Sequence, residues 1–405
     1  MVEGHFAGID WASAEHAMCV VDAAGRIIEG RRYRHDERGL RALCERLREL
    51  EVALVAVERP DGVLIERLLD ADLAVIAVHP NQLAAMRPRF SAAGGKRDAF
   101  DAFMLAELAR TDAHRFRVLV ADTDATKALR ALTRAREDLV SARVALANEL
   151  RAQLDAFWPA ATRIFREIDS PIALAFLARY PSPADARGLG PQRLQRFLAR
   201  HHYRGRRPAD QLLARLREGA QGRAQTLETD ARREIVLALV SALEPLVARI
   251  AGLTSEIRAV LADHADGAVF RSLFRDPKTA ICPATMLAEI GDCRDRYPTV
   301  RALAADAGQA PVTKQSGKAR QAHFRWACDH RLKNAITTMA DTSRHHNPWA
   351  ADIYTRARQR GASHPHAPRI LGRARCGVIW RLWHDHTPYD PQQHTALQRL
   401  ITTEG

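Results

Sequence analysis

Short apolar runs of strand length recur through the first 80 residues, separated by polar turns and amphipathic segments. The runs cover residues 6–10, 16–22, 26–34, 52–57 and 73–78. We expect each to form a β-strand, because apolar segments of this length bounded by turn residues are typical of strands. Between them, leucines at positions 40, 43, 47 and 50 recur every three or four residues, which predicts a helix over 37–50.

The order of these elements predicts a mixed sheet with helices packed on it. The first three strands follow one another closely enough to form an antiparallel meander, and the later strands alternate with helices over 37–50 and 62–70. A further helix is predicted over 96–109. We therefore assign residues 1–115 to a first α/β domain.

Two much longer helical patterns follow, over 124–165 and 223–262. Each exceeds the ~11–12 residues of an average helix, and together they predict an antiparallel coiled-coil arm within residues 116–264, interrupted by a short helical insert. The alternative is that both helices pack on a neighbouring domain. Residues 265–405 are predicted to form a separate, mainly α-helical C-terminal domain.

The charge balance favours a polyanionic partner. The 405 residues include 61 Lys+Arg and 48 Asp+Glu, for a formal net charge of +13 and a pI near 10.0. Only six of the basic residues are lysines; codon bias and phosphate recognition by arginine are both open explanations. Arg204, Arg206 and Arg207 form a basic segment in the insert, which we interpret as a nucleic-acid contact, with a solvated loop as the alternative.

Several classes of protein are disfavoured. We expect no membrane span, because no apolar run approaches the ~20 residues that one needs, and the N-terminus lacks the features of a secretory signal. The six cysteines are scattered without a CxxC pair, which argues against a zinc site and a disulfide framework. A reducing cytoplasm is the expected location.

Acidic residues occur where predicted strands end and on one helix face. Asp10 ends the first strand and Glu58 follows a later one, while Asp98 and Asp101 lie three residues apart on the predicted helix 96–109. Residues three apart share a helix face, so the two aspartates repel each other unless something compensates. Mg²⁺ prefers such oxygen ligands, and we hypothesise that these four acids form a divalent-metal site.

Aromatic and basic residues are interspersed near the C-terminus. Four tryptophans lie among arginines there: Trp326, Trp349, Trp380 and Trp383. Such pairs suit stacking on unpaired bases, but we expect these tryptophans to be core residues.

Six segments of the sequence resemble a known protein family. The matching segments are Gly8-Ile9-Asp10-Trp11-Ala12-Ser13, Val57-Glu58, Lys96-Arg97-Asp98-Ala99-Phe100-Asp101-Ala102, Leu287-Ala288-Glu289-Ile290-Gly291-Asp292, Ala307-Gly308-Gln309-Ala310-Pro311 and Gln315-Ser316-Gly317-Lys318. In this order they are similar to the DEDD-type transposases of the IS one-ten insertion-sequence family, the bridge-RNA-guided recombinases.

The resemblance implies a fold and a mechanism. It implies an RNase-H or RuvC-like α/β domain whose Mg²⁺-binding catalytic tetrad is Asp10, Glu58, Asp98 and Asp101, then a coiled-coil region and a C-terminal transposase domain with Ser316 as nucleophile. A structured non-coding bridge RNA would pair with donor and target DNA, and strands would be exchanged through a covalent phosphoserine. Lys314 and Lys318 flank Ser316 and are candidates to hold phosphate oxygens.

The same resemblance implies a homo-oligomer, a dimer or tetramer, in the bacterial cytoplasm and associated with the nucleoid. Three other functions remain open. A RuvC-type structure-specific nuclease would need the tetrad but no serine. An actin-like ATPase would need a second glycine-rich phosphate loop, which we do not find in the sequence. A non-catalytic nucleic-acid-binding protein would need neither the metal nor the serine.

Overall fold

The computed structural model describes residues 4–58, 60–90, 97–220, 226–276, 278–316, 319–396 and 398–399. The chain separates into two compact units, Met1–Thr123 and Asp124–Gly405. A further division of the second unit near residue 264 stays a prediction. The chain is mixed α/β and mostly helical.

The first unit is built on a five-stranded sheet. Its strands are β1 (His5–Asp10), β2 (Glu15–Val21), β3 (Ile27–Arg34), β4 (Val52–Val57) and β5 (Val75–Ala77), in the spatial order β3-β2-β1-β4-β5. Strands β1 to β3 form the antiparallel meander that the sequence predicts, and β4 and β5 run parallel to β1.

Helices cover both faces of this sheet. They are α1 (Glu37–Glu49), α2 (Val63–Asp70), α3 (Pro80–Phe90) and α4 (Asp98–Thr111). One core joins Ile9 and Val55 to leucines of α1 and α2. The opposite core joins Phe6 and Ala56 to Leu105 and its neighbours on α4. Side chains alternate along a strand, so the α4 face is the one to which Phe6, Gly8 and Asp10 belong.

Gly8 lets α4 lie directly on β1. A Cβ added at Gly8 would stand 2.0 Å from the backbone oxygen of Ala102 and 2.3 Å from the backbone nitrogen of Ala106. Neither atom can move without displacing α4 from the sheet. The close approach therefore fixes the height of the helix that carries Asp98 and Asp101.

We predict that Gly8→Ala lowers the free energy of unfolding of the first unit by about 3 kcal/mol, the upper range for overpacking. Gly30→Ala on β3 is the matched control, because a Cβ there meets nothing within 4 Å. Urea denaturation of both variants checks this. Equal stability of the two variants would show that α4 is not held as closely as described.

The second unit begins with a long helix, α5 (Asp124–Phe157). Short helices follow: α6 (Pro171–Arg179), α7 (Pro191–Arg200) and α8 (Ala209–Glu218). The second long helix is α9 (Leu227–Asp263). Both long helices are confirmed, although α5 ends before Pro159 rather than at 165, because proline has no N–H for a helix interior.

The two long helices pack antiparallel. Leu129 near the start of α5 shares a core with Ile257 and Leu261 near the end of α9, whereas Leu154 near the end of α5 shares another with Val236 near the start of α9. The coiled-coil arm stays a prediction.

Helix α9 is also long and apolar enough to cross a membrane, by length and composition alone. This differs from the expectation that no segment is apolar enough to span a membrane. In its most apolar 18-residue window the mean hydropathy is 1.8 and 22% of the window is buried. The buried residues form the cores shared with α5, so one face of α9 is part of the helical body and apolar surface remains outside it.

Among the residues that the structure describes, the rest of the second unit contains six further α-helices and one hairpin. Its helices are α10 (Gly267–Ser272), α11 (Ile281–Ile290), α12 (Val300–Asp306), α13 (His330–Ser343), α14 (Pro348–Gln359) and α15 (Ala367–Asp385). The hairpin consists of β6 (Val312–Ser316) and β7 (Ala319–His323), paired antiparallel from Val312↔His323 to Ser316↔Ala319.

Candidate active site

Asp10 and Glu58 lie at the same edge of the sheet. Strands β1 and β4 are parallel, and Ile9 pairs with Val57, so the acids that follow these two residues are neighbours. Leu54 and Ala56 belong to the core under α4, and the alternation of side chains places Glu58 on that face with Asp10. Asp10 is buried, and Glu58 is half-buried.

Arg87 of α3 links these acids to Asp101 of α4. Its guanidinium donates two hydrogen bonds to the Asp101 carboxylate, at 3.1 Å from Nε and 2.9 Å from an Nη. These bonds raise the pKa of Arg87, burial opposes the rise, and the negative charges of Asp101, Glu58 and Asp10 add to it. One guanidinium therefore lies within the field of three predicted site acids, contributed by two strands and one helix.

Asp98 is held separately. It lies at the first turn of α4, half exposed, and accepts a hydrogen bond of 3.3 Å from Arg32 on β3. Arg32 also pairs with Glu15 at the start of β2. Each aspartate of the i, i+3 pair thus has its own arginine, which offsets the repulsion between them.

The donor set suits a hard divalent cation. Carboxylate oxygens from two strand ends and a helix are the ligands that Mg²⁺ prefers. Both Asp101 oxygens now accept bonds from Arg87, so Asp101 would have to lose these bonds to serve as a metal ligand. Within the ranges that the structure describes, no group of three or more His, Cys, Asp or Glu side chains is already arranged to hold a metal. The metal role of the four acids stays a prediction.

Two histidines support the turn that follows Asp10. His16, on β2, is fully buried. The Nε2 atom of His16 lies 2.8 Å from the Nδ1 atom of His35. The Nδ1 atom of His16 accepts a 3.4 Å hydrogen bond from the backbone N–H of Ala12. The Trp11 ring packs beside both imidazoles. Burial, and next the charge of His35, lower the pKa of His16 to about 4.

This lowered pKa predicts a loss of stability in acid. The unfolded chain binds a proton at His16 near pH 6.5, whereas the folded chain does so only near pH 4. The stabilisation is complete above pH 6.5 and is lost as the pH falls towards 4, by up to about 1.4 kcal/mol per pH unit. We expect His16→Gln to flatten the pH dependence of unfolding, measured by denaturant titration, and exposed His114→Gln to leave it unchanged. Parallel profiles for wild type and His16→Gln would contradict this.

Ser316 lies at the exposed end of β6. Lys314, also exposed, is two residues earlier on the strand and therefore shares its face. Thr313 and Gln315 belong to the other face. Lys318, the second predicted phosphate ligand, lies outside the described residues, as do Gly317 and Lys96 of the quoted segments.

The basic segment of the insert is exposed. Arg204, Arg206 and Arg207 lie between α7 and α8, all three open to solvent. Arg204 and Arg207 line a cavity of about 770 Å³ together with Tyr203 and residues of both helices. This cavity is concave and cationic, but its role in binding nucleic acid stays a prediction.

Residues 287–292, one of the segments that carry the family resemblance, have a structural role. Glu289 on α11 is buried and accepts bonds of 2.9 and 2.7 Å from Arg134 on α5. Burial alone would raise the pKa of Glu289, but the hydrogen bonds and charge of Arg134 lower it overall. Gly291 then ends α11 with a φ of 83°, a conformation that favours glycine. These residues fix α11 against the long helix.

Comparison with known proteins decides the family. Residues 7–159 match a family model of DEDD-type IS110 proteins described as "Transposase", and residues 279–355 match the model of the "Transposase IS116/IS110/IS902 family". The chain is 31% identical over 404 residues to the candidate mini-circle transposase of IS117 in Streptomyces coelicolor, covering 96% of each protein. The chain belongs to the IS110 family of transposases. DNA transposition is therefore its enzymatic role.

Other IS110-family relatives align over nearly the whole chain. The insertion element IS116 protein of Streptomyces clavuligerus is 29% identical over 397 residues, 96% of this chain and 98% of that protein. The insertion element IS110 protein of Streptomyces coelicolor is 28% identical over 402 residues, 98% of each. The family resemblance is confirmed. The DEDD match also supports an RNase-H-like α/β fold for the first unit.

Sequence reasoning missed Arg87, His16 and His35. Arg87 carries no motif, and its partner Asp101 lies on another helix. The position of His16 two residues into β2 was the one available signal, because a histidine in a buried strand needs a polar partner.

Proposed function

We propose that this IS110-family transposase cuts and rejoins DNA strands under the guidance of a structured non-coding RNA, through an acidic Mg²⁺ site and a covalent phosphoserine. The observation that carries the proposal is the shared sheet edge of Asp10 and Glu58, together with an Arg87 that is bonded to Asp101 and is influenced by the charges of both other acids. Placing acids from β1, β4 and α4 near one another costs free energy, because their negative charges repel. A site that processes phosphodiesters would need these acids together, which accounts for the cost.

The four acids have distinct positions in the proposed site. Asp10, Glu58 and Asp101 would form its inner part and Asp98 its exposed side, where Arg32 now lies. A bound Mg²⁺ supplies positive charge that polarises a phosphodiester and lowers the pKa of an attacking hydroxyl. Arg87, once released from Asp101, would be available to bind a phosphate oxygen, for which its planar fork is suited.

Ser316 would be the nucleophile. A serine hydroxyl needs activation at neutral pH, and its position at an exposed strand end lets it reach a DNA backbone. In the step, the Ser316 oxygen forms a bond to phosphorus while the bond to the leaving sugar oxygen breaks, and the serine proton passes to a base or to solvent. Lys314, on the same face of β6, would hold a phosphate oxygen.

Nucleic acid would be held by basic residues of the second unit. The net charge of +13 suits donor DNA, target DNA and a guide RNA together. We assign backbone contacts to Arg204, Arg206 and Arg207 in the segment between α7 and α8, to Lys314 on β6, and to Lys318, which lies outside the described residues.

We also propose a homo-oligomer, a dimer or tetramer, in the bacterial cytoplasm near the nucleoid. The support is the partly exposed apolar surface of α9, with Ile235 on α9 and Val144 on α5 both more than 40% exposed. Apolar patches of this kind mark protein contacts. They equally suit the predicted coiled-coil association of two copies.

A structure-specific nuclease is the second candidate. All four acids lie in the unit Met1–Thr123, while Ser316 lies in the unit Asp124–Gly405. A nuclease would use the first unit and a water nucleophile, and would leave no protein on the DNA.

The guide is tested by sequencing the RNA that the full chain retains when it is purified from cells carrying its own gene and flanking DNA. We expect one defined species encoded beside the reading frame, which also raises strand exchange when added back. Random fragments, or exchange unaffected by removal of RNA, would contradict guidance while leaving the acid and serine chemistry to be tested separately.

A further inference from the structure

Trp326 is an exposed tryptophan at the foot of the hairpin that carries Ser316. It follows β7 by three residues, and 74% of its surface is exposed. Trp383 by contrast is fully buried. The expectation that these tryptophans are core residues is therefore wrong for Trp326. An indole in water needs an explanation, because burying an aromatic of this size is strongly favourable.

The ring is held in place by a second aromatic. Phe324 contacts Trp326 edge to face, with ring centroids 4.8 Å apart. Phe324 is itself contacted by two cations: the Arg369 guanidinium lies 4.7 Å from its ring centre and the Lys333 ammonium 5.5 Å. The surroundings of Trp326 are thus a fixed aromatic ring with positive charge beside it, and most of the indole is open.

We infer that Trp326, backed by Phe324, Arg369 and Lys333, is a stacking platform for an unpaired base of nucleic acid. The indole offers a flat apolar face, and the two cations complement the phosphates on either side of a stacked base. The net charge of +13 and the match to a transposase family favour nucleic acid over a protein as the occupant. The inference rests on the proposed function for its place in the reaction, but its binding chemistry stands on these contacts.

The hairpin relates this platform to the proposed nucleophile. Strand β6 begins at Val312, which pairs with His323 at the hairpin foot, and Ser316 is four residues further on. At about 3.4 Å per residue, this is about 14 Å. Trp326 lies three residues beyond His323, which adds at most about 10 Å, so Trp326 and Ser316 are separated by at most about 24 Å, or about seven nucleotides of a stacked strand. The platform would hold a base a few nucleotides from the bond that is cut, and so would fix the register of the strand.

The test measures binding of the full chain to two fluorescent single strands, deoxythymidine and uridine 12-mers, over a range of salt concentrations. We expect Trp326→Ala to weaken binding between about 5-fold and about 150-fold, with an unchanged salt slope because no charge is lost. Trp326→Phe should recover most of the affinity. A greater loss of affinity for one oligonucleotide shows whether the platform prefers DNA or RNA. Equal losses show that the platform recognises only the base and not the sugar.

Two variants serve as controls. Ile27→Ala removes an exposed apolar side chain of the first unit, 61% exposed, and should change nothing. Lys314→Ala should reduce the slope of log affinity against log salt by about 0.7, as for one lost phosphate contact on a single strand. Affinity of Trp326→Ala within twofold of wild type, failure of phenylalanine to recover it, a changed salt slope, or no binding by wild type would overturn the platform. No cleavage enters this measurement, so its failure and that of the serine chemistry are distinguishable.

Discussion

Asp10→Asn and Glu58→Gln should each reduce DNA strand cleavage at least about 100-fold while leaving the fold and DNA binding intact. Each change keeps the size of the side chain and removes one negative charge from the edge where β1 and β4 end. Losing one group that stabilises charge in the reaction typically costs about 100- to 1,000-fold in rate, and loss of a metal ligand acts in the same sense. Cleavage of a labelled DNA containing the element ends measures the effect.

The control for this prediction is Asp72→Asn. Asp72 is an exposed acid of the same unit with a φ of 55°, which asparagine tolerates as well as aspartate. It should cleave as wild type does. Retained cleavage by Asp10→Asn or Glu58→Gln, with circular dichroism unchanged, would show that these acids do not form the site.

Ser316→Ala should abolish the covalent protein–DNA adduct and strand exchange altogether. The change removes one oxygen from an exposed strand end, so folding and the affinity for DNA should stay as in wild type. The adduct is detected as DNA label that remains with the protein in denaturing gels. A nuclease using water would form no adduct and would continue to cut in this variant.

Thr313→Ala is the matched control for Ser316→Ala. Thr313 is an exposed hydroxyl residue three positions earlier on the same strand, on its other face. It should form the adduct normally. Adduct formation by Ser316→Ala, or its loss in Thr313→Ala as well, would refute the assignment of Ser316. Neither outcome bears on the acids, which lie in the other unit.

The sequence was sufficient to predict the sheet and the positions of Asp10 and Glu58 at strand ends. Short apolar runs bounded by turns defined the strands, whereas the parallel pairing that makes the two acids neighbours is seen only in the structure. The sequence was not sufficient to predict which side chains contact each other between helices and strands. Arg87 reaches Asp101 from a different helix, and the pattern of tryptophans among arginines does not distinguish exposed Trp326 from buried Trp383. The early end of α5 was foreseeable from Pro159, because proline disrupts a helix interior.

The central claim is that acids from β1, β4 and α4 hold divalent ions against a DNA backbone. Anomalous diffraction from crystals of the full chain grown with Mn²⁺ and DNA tests it directly. We expect manganese bound by carboxylate oxygens of Asp10, Glu58 and Asp101, with Arg87 no longer bonded to Asp101. Manganese located elsewhere, with the Arg87–Asp101 pair intact in a complex competent for cleavage, would contradict the claim.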